Sequence, residues 1–351
     1  MTSESVVPVF DGHNDVLLRL WKAGREESGE AFLAGEEAGH VDLPRARIGG
    51  FAGGLFAVYV PSPVEPATAA TGGDRPEPLT PSMAEARRIS FEMISILSRI
   101  ERAAAGAFRL CRSAADIRAA MATGALAAVF HIEGAEALDP ELRLLDVLHQ
   151  AGLRSLGPVW SRPNIFGRGV PFRFPSSPDI GPGLTDRGRA LVRACNELGI
   201  LVDLSHLNER GFWDVAEVST APLVASHSNA HALCPHSRNL TDRQLDAIRE
   251  RDGLVGVNFG AMFIRPDGRK DPATELDLLI RHVDHLVDRI GLERVAIGSD
   301  YDGTTVPHAL RDVSHLQALV SALRHRGYDE AALRRICHGN WIRVLERTWG
   351  E

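Results

Sequence analysis

Six side chains that can bind a metal ion or transfer a proton follow apolar stretches of the sequence. They are His13, Asp15, Glu133, His206, His227 and Asp300. Imidazole nitrogens and carboxylate oxygens bind divalent ions, and the three histidines favour zinc. In an extended segment, residues i and i+2 lie on the same face, so His13 and Asp15 can bind one ion together. The set therefore predicts a metal centre.

The number of these groups favours two ions, because one tetrahedral zinc ion needs only four ligands. Two ions bridged by one carboxylate are the natural arrangement for such a set. The assignment is His13 and Asp15 for one ion, His206 and His227 for the other, and Glu133 for the bridge. Ions of this kind lower the pKa of a bound water towards neutrality.

Asp300 remains for catalysis in this assignment. Its carboxylate would orient the water and carry a proton to the leaving group. Each of the six residues alone also has an ordinary explanation as a polar group at the end of a strand. Glu133 fits that explanation least well, because an unpaired buried carboxylate is costly.

The elements that position these residues are predicted from the alternation of apolar stretches and helical patterns. Eight apolar stretches begin at residues 6, 51, 125, 153, 200, 222, 253 and 294. They are apolar almost without interruption, as expected for parallel strands that are covered on both faces. The pattern predicts a single (β/α)8 TIM-type barrel over residues 1–351, closed by a helix over Asp329–Trp349. Loop insertions are predicted near 25–39, 61–81 and 161–182.

The barrel brings the six candidate residues together, because each lies at or just after the end of a predicted strand. His13 and Asp15 belong to the same strand, and the other four residues belong to four different strands. Barrel enzymes place their chemistry at the carboxyl ends of the strands. Four further histidines are predicted to be surface groups on a loop or a helix, namely His231, His236, His282 and His285.

Composition excludes several other classes of protein. The chain has 351 residues, 44% of them hydrophobic, and a formal net charge of -7. No basic cluster favours a nucleic acid or an anionic membrane as partner. The four cysteines lie far apart, without the spacing of a thiolate metal site or a disulfide framework. No export signal and no membrane span is recognisable, so we expect a cytoplasmic protein.

At this point the motifs resemble a known family. His13-x-Asp15, Glu133, His206, His227-Ser and Gly298-Ser-Asp300-x-Asp-Gly303 are similar to the signature of the renal (membrane) dipeptidases, the M19 metallopeptidases. The similarity extends over nearly the whole chain. It implies a barrel with two bridged zinc ions, a homodimer, and tolerance of a D-residue at the C-terminal position of a dipeptide.

The resemblance also implies roles for two single residues. Asp300 would be the acid/base residue, and Arg238 would bind the C-terminal carboxylate of the substrate, a task that suits a bidentate guanidinium. At the end of the fourth strand, where the family usually has a histidine, this chain has Trp160. An indole cannot accept a proton, although its N–H can donate a hydrogen bond. Trp160 is therefore a candidate substrate-binding residue that bears on substrate range.

The sequence thus predicts a binuclear zinc dipeptidase that acts on small dipeptides with a free C-terminal carboxylate, including L-D dipeptides. Two alternatives stay open. One is a related amidohydrolase that acts on N-acyl amino acids or lactones, which the tryptophan at position 160 favours. The other is a non-catalytic metal-binding barrel, which would bind metal without turnover.

Overall fold

The computed structural model describes residues 6–24, 28–63 and 78–350. Its strands are β1 (Val9–Asn14), β2 (Phe51–Tyr59), β3 (Phe108–Leu110), β4 (Leu126–Glu133), β5 (Leu153–Gly157), β6 (Leu201–Val202), β7 (Val224–Ala225), β8 (Leu254–Val257) and β9 (Val295–Ile297). The eight predicted strands are all present, and β3 is an additional short strand that the sequence did not predict.

The strands pair in parallel and close into a ring. One sheet has the order β1-β2-β4-β5-β6, and a second has the order β7-β8-β9. Parallel bridges between Asp203 and Val224 and between Asn14 and Tyr301 join the edges of the two sheets. Strand β3 pairs only with the beginning of β4 and stays outside the ring. The predicted (β/α)8 fold is confirmed.

Helices follow most strands and cover the ring. They are α1 (Val16–Lys22), α2 (Ser28–Ala34), α3 (Leu43–Gly49), α4 (Met83–Ala103), α5 (Ala114–Ala122), α6 (Arg143–Ala151), α7 (Asp186–Glu197), α8 (Glu209–Val218), α9 (Asp242–Glu250), α10 (Ala261–Ile264), α11 (Leu276–Ile290), α12 (Leu316–Arg326), α13 (Glu330–Arg334) and α14 (Asn340–Trp349). Several begin at a side-chain cap. Thr241 and Gln244, for example, form a reciprocal capping box at the start of α9.

Two predicted segments differ in detail from the structure. The predicted closing helix is divided into α13 and α14 by a π-helical turn at Arg335–Gly339. The segment 25–39, predicted as a loop, contains α2, because Phe32 is fully buried and anchors that helix to the core. Residues 64–77 of the predicted insertion 61–81 lie outside the described residues, and the segment 161–182 is irregular, with short bridges only.

Helix α14 closes the end of the barrel at which the strands begin. Its fully buried Trp341 packs in one cluster with strand residues such as Phe10 and Val129. The indole nitrogen donates to the backbone oxygen of Ile297 at 2.7 Å. A Cβ at Gly12 would lie 2.4 Å from the Trp341 ring, so glycine is required there. With this end filled, the opposite end is left for a site.

Among the described helices, none combines the length and the apolar character that a bilayer crossing requires.

Candidate metal centre and active site

The six predicted site residues come together at the carboxyl end of the ring, and all of them are buried. His13 lies in β1 and Asp15 directly after it, whereas Glu133 is the last residue of β4. His206, His227 and Asp300 follow β6, β7 and β9. The barrel therefore joins in space residues that are far apart in sequence.

One carboxylate oxygen of Glu133 lies close to three histidine side chains. Glu133 Oε1 is 2.9 Å from His206 Nε2, 3.6 Å from His227 Nε2 and 3.7 Å from His13 Nε2. Asp15 Oδ2 extends the group on one side, at 3.5 Å from His13 Nε2. Glu133 Oε1 is therefore close to the Nε2 atoms of all three histidines.

The potential ligand atoms form two groups that share His13. Within each group, all of these atoms lie within 4.8 Å of one another. The first contains His13, Glu133 and His227, and the second contains His13, Asp15 and Asp300. Asp300, predicted as the acid/base residue, thus lies beside the candidate ligands. A water held by ions bound to these residues would lie close to Asp300.

Unpaired buried atoms show that these residues fit a metal ion. Both ring nitrogens of His13 and the Oδ1 atom of Asp15 are buried without a hydrogen-bond partner among the described residues. Such atoms are costly to bury unless a ligand satisfies them. A divalent cation bound by imidazole and carboxylate groups would satisfy them, and its two positive charges would offset two of the three carboxylates.

Hydrogen bonds behind the centre fix the orientation of two histidines. Ser226 Oγ donates to Asp203 Oδ2 at 2.5 Å and lies 2.7 Å from His227 Nδ1. Because the single hydroxyl proton goes to Asp203, the Nδ1–H of His227 must donate to Ser226, which leaves Nε2 with a free lone pair. His206 Nδ1 lies 2.7 Å from Ser161 Oγ, and this hydrogen bond orients the ring whichever of the two atoms donates. Both Nε2 atoms therefore face Glu133 as potential ligands.

The supporting residues Asp203, Ser226 and Ser161 were not identified from the sequence. The signal for two of them is present, since Asp203 and Ser226 are polar residues at the ends of short apolar strands and lie close to His206 and His227 in the sequence. Ser161 has no comparable signal, because its partner His206 lies 45 residues away.

Burial and charge shift the proton affinities across the centre. Burial lowers the pKa of His206 and of His227 well below the usual value, and it raises the pKa of Glu133. Burial also lowers the pKa of His13, but the carboxylates of Glu133 and Asp15 outweigh it and raise that pKa to about 10. Groups shifted so strongly in opposite directions are typical of functional sites.

Two site residues have a backbone conformation that side chains rarely adopt. The φ angles of His206 and Asp300 are 69° and 60°, in the left-handed region. Such strain tends to occur at functional sites, where the surrounding structure enforces it. At Asp300 the enforcing contacts are visible, since its N–H donates to the His13 carbonyl at 3.0 Å and the N–H of Asp15 donates to the Tyr301 carbonyl at 2.8 Å.

Arg238 lies beside the candidate metal centre and is only 5% exposed. One of its Nη atoms donates to the backbone oxygen of His227 at 3.2 Å, and its guanidinium carbon lies 5.7 Å from the centroid of Phe263. Its Nε has no hydrogen-bond partner, and none of the described carboxylates forms an ion pair with it. A buried guanidinium in this state can accept an anionic group of a ligand.

Trp160 forms part of the wall next to the histidines. Its ring centroid lies 5.1 Å from that of Tyr59, 5.6 Å from that of Phe172 and 5.7 Å from that of His206. The guanidinium of Arg162 lies 5.2 Å from the Trp160 ring. Trp160 thus provides an aromatic surface beside His206.

A cavity of about 950 Å³ opens above these residues. Asp15, Glu133, His206, Asp300, Arg238 and Trp160 all line it. Its volume lies at the upper end of the range of small-molecule sites, which is roughly 300–1,000 Å³. The cavity therefore joins the candidate metal centre, the guanidinium of Arg238 and an aromatic wall in one space.

A parallel barrel with buried histidines and carboxylates at its carboxyl end is typical of metal-dependent barrel hydrolases. Within that class, the chain belongs to the membrane dipeptidases (peptidase family M19), whose family model matches residues 4–349. The resemblance of the motifs is thus confirmed, and the protein is a metallo-dipeptidase of this family.

Three relatives illustrate the match. A metallopeptidase from Rhodobacter sphaeroides, solved with a phosphinate mimic of the dipeptide L-Ala-D-Ala, is 51% identical, with a TM-score of 0.94 and coverage of 98% of this chain and 100% of that chain. A protein encoded in the 5' region of pqqA in Klebsiella pneumoniae is 50% identical over 261 residues, 74% of this chain and 96% of that protein. The dipeptidase tcpJ of Claviceps purpurea is 31% identical over 341 residues, 96% of this chain and 76% of that protein.

Proposed function

We propose that the protein uses two zinc ions to hydrolyse the peptide bond of small dipeptides that have a free C-terminal carboxylate. The observation that carries the proposal is the arrangement of three imidazoles around Glu133 Oε1, with Arg238 unpaired in the same cavity. His13 and Asp15 would hold one ion, His206 and His227 the other, and Glu133 would bridge them. When bound, such ions supply Lewis acidity that polarises a carbonyl oxygen and lowers the pKa of water.

Asp300 is the residue that moves the proton in this proposal. The side-chain nitrogen of Asn258 donates to Asp300 Oδ2 at 2.9 Å, which orients the carboxylate and leaves Oδ1 to accept a proton from water. Burial raises the pKa of Asp300 to about 6, against the opposing effect of His13. A carboxylate with a raised pKa can both take this proton and deliver it to the leaving amine.

Arg238 and Trp160 position the substrate. The Arg238 guanidinium would bind the C-terminal carboxylate, and the hydrogen bond to the His227 carbonyl holds it next to a candidate ligand. Trp160 would pack against the substrate beside His206. A peptide held at both ends has already lost much of its translational and rotational entropy, which lowers the entropic part of the activation barrier.

An L-D dipeptide is the preferred form of the substrate in this proposal. Its support is the Rhodobacter sphaeroides relative, which binds a phosphinate mimic of L-Ala-D-Ala at 51% identity. A second candidate function, hydrolysis of N-acyl amino acids or lactones, is favoured by the aromatic wall of Tyr59, Trp160 and Phe172. Such a wall would suit an apolar acyl group.

The decisive experiment measures zinc per chain together with hydrolysis of L-Ala-D-Ala, L-Ala-L-Ala, N-acetyl-alanine and a lactone, before and after chelation. We expect about two ions per chain and chelator-sensitive hydrolysis of the dipeptides. Two ions with turnover of the acylated amino acid or the lactone alone would favour the second candidate function. One ion per chain would contradict the bridged centre.

The role of Asp300 is tested by the Asp300→Asn variant, which keeps the shape of the side chain and removes its basicity. We expect it to retain its metal ions and to lose roughly 10²- to 10⁴-fold in kcat, the usual contribution of a positioned proton-transfer group. Asp146→Asn, the same change at an exposed position of α6, is the matched control. Normal turnover by Asp300→Asn would show that another group carries the proton.

A further inference from the structure

We propose that the preferred dipeptide has an acidic side chain on its C-terminal residue and that Arg173 and Lys270 bind this second carboxylate beside Arg238. The inference rests on the proposed dipeptidase function and specifies the substrate of the same site. It follows from the charges that line the active-site cavity.

The distribution of lysine in the chain is the first observation. Lys22 and Lys270 are the only lysines in the sequence, and both line this cavity. Arg173 and Arg238 line it as well. The acidic residues among the described lining groups are Asp15, Glu133 and Asp300, all of which belong to the metal centre. Outside that centre, the described lining carries positive charge alone, although the whole chain has a net charge of -7.

The second observation is that these cations have no acidic partner. Within the described part of the chain, Arg173 and Lys270 form no ion pair, and Arg238 forms none either. Some exposed arginines elsewhere, such as Arg88 and Arg281, are paired with a carboxylate on their own helix. The cations of the cavity are thus available to an anionic ligand.

The third observation is that the chain segments carrying two of the cations contact the segment of Arg238 or each other. The backbone N–H of Arg173 donates to Ser237 Oγ at 3.0 Å, and the N–H of Ser237 donates to the Arg173 carbonyl at 3.0 Å. Arg173 is thereby fixed to the residue that precedes Arg238. Phe174, the next residue, packs against the loop that leads to Lys270, since a Cβ on Gly268 would lie 2.4 Å from its ring.

The positive charge of Lys270 also acts on His236, which lines the same cavity. Burial lowers the pKa of His236 to about 3, and the positive charges of Arg238, His231 and Lys270 add to this effect. The ring of His236 lies 4.9 Å from that of Phe263, over which the Arg238 guanidinium is placed. The positive charges of Arg238 and Lys270 therefore both act on the part of the cavity around His236.

The charge balance of the substrate follows from this arrangement. A dipeptide with neutral side chains has one carboxylate, which Arg238 takes in the proposed function. Arg173 and Lys270 would then face no charge, although a cleft lined by one sign of charge concentrates ligands of the opposite sign. A carboxylate on the side chain of the C-terminal residue would meet both cations, and Phe172 and Phe263 would contact its methylene groups.

The test compares two substrates that differ in charge and hardly in shape, L-Ala-D-Glu and L-Ala-D-Gln. We expect the wild-type kcat/KM to be about two- to thirtyfold higher for the acid, the range that two exposed ion pairs would give. The preference should shrink as sodium chloride is raised from 20 mM to 500 mM (about 20 Å to 4 Å in screening length), because exposed charges are screened by salt. If only L-L dipeptides are hydrolysed, L-Ala-L-Glu and L-Ala-L-Gln replace this pair.

The variant that tests the assignment is Arg173→Gln combined with Lys270→Gln. We expect its acid-to-amide ratio of kcat/KM to fall close to one. Arg143→Gln, which removes one charge at an exposed position of α6, is the control and should keep the wild-type ratio. A wild-type ratio at or below one, or an unchanged ratio in the double variant, would overturn the inference.

L-Ala-D-Ala and L-Ala-L-Ala separate this outcome from a failure of the proposed function. If the metal-loaded protein hydrolyses neither, the dipeptidase proposal itself is wrong. If it hydrolyses either one and shows no preference for the acid, the dipeptidase proposal stands and only the acidic substrate is excluded.

Discussion

Arg162 is a fully buried arginine, and the Glu136 carboxylate is the partner of its charge. The Nε of Arg162 donates to Glu136 Oε1 at 2.8 Å, and its Nη atoms donate to Ser62 Oγ and to the Val60 carbonyl at 2.9 Å and 2.6 Å. The guanidinium also lies against the ring of Trp160. These hydrogen bonds fix the position of the Arg162 guanidinium, and the guanidinium in turn packs against Trp160 in the aromatic wall of the site.

We expect Glu136→Gln to lower the free energy of unfolding by about 3–5 kcal/mol, since it leaves a buried guanidinium without its counter-charge. Urea denaturation measures the change. Glu141→Gln is the matched control, because Glu141 belongs to an exposed pair with Arg143 at 4.0 Å, which is worth at most about 1 kcal/mol. Equal effects of the two substitutions would show that burial of the Arg162 pair is unimportant.

At the residue scale, the residues of the metal centre are easier to predict from the sequence than the buried residues that support them. His13, Glu133 and Asp300 interrupt or end apolar strands, and the barrel geometry then gathers them. Arg162 and Glu136 carry no such signal, because their pairing depends on where two loops of the folded chain meet. Long-range contacts of this kind are visible only in the structure.

At the scale of elements, α11 shows a pattern that the sequence contains but that the prediction missed. His282, predicted as a surface group, is buried, and so is His236. His282 lies three residues after Leu279 and four before Leu286, on the inner face of the helix. Its Nδ1 accepts from the N–H of Ala230 at 3.2 Å, so its Nε2–H donates to the Ile264 carbonyl at 3.1 Å.

This buried neutral imidazole predicts a loss of stability in acid. Burial lowers the pKa of His282 from 6.5 to about 4. The unfolded chain therefore binds more protons between these two values, and the free energy of unfolding falls as the pH decreases through that window. The contribution of this residue is on the order of 3 kcal/mol.

The variant His282→Asn tests this prediction, because its side-chain oxygen can still accept from the Ala230 N–H and does not titrate. We expect urea denaturation to show a smaller loss of stability between pH 7 and pH 4 in the variant than in the wild type. Parallel curves for the two proteins would mean that another group causes the acid sensitivity.

The start of α9 provides a second prediction at this scale. Thr241 accepts a hydrogen bond from the N–H of Gln244, whose side chain bonds back to the Thr241 backbone. We expect Thr241→Ala to lower the free energy of unfolding by about 1 kcal/mol, the usual value of a helix cap. Thr241→Ser keeps the cap and should have a much smaller effect in the same thermal or urea experiment.

The short elements were the hardest to predict. Strand β3 has three residues and pairs outside the ring, and α2 occupies a segment rich in Gly and Glu, where one buried phenylalanine decides the structure. Short segments contain too little periodicity to be distinguished from loops. The long alternation of apolar strands and helices, by contrast, predicted the barrel correctly.

At the scale of the whole molecule, the candidate ligands tie together strands from both sheets. β1 and β4 belong to one sheet, whereas His227 follows β7 of the other. Ions bound by these residues would stabilise the closed ring, because they bind the folded chain and not the unfolded one. Removal of the ions by a chelator should therefore lower the melting temperature.

We expect a decrease on the order of 5 °C on chelation and its reversal by added zinc, as differential scanning calorimetry would show. An unchanged melting temperature would indicate that the barrel does not depend on its ions. The homodimer implied by the family resemblance stays a prediction, which light scattering of the same samples would check.

The seam between β1 and the segment after β9 joins the beginning of the barrel to its end. His13 and Asp15 lie at the first strand of the barrel, and Asp300, which completes their side of the candidate centre, lies 285 residues after Asp15. Folding of this side must therefore wait until Asp300 has left the ribosome. We expect nascent chains arrested before Arg294 to capture fewer zinc ions than released chains in the same medium, so that metal loading follows the synthesis of β9.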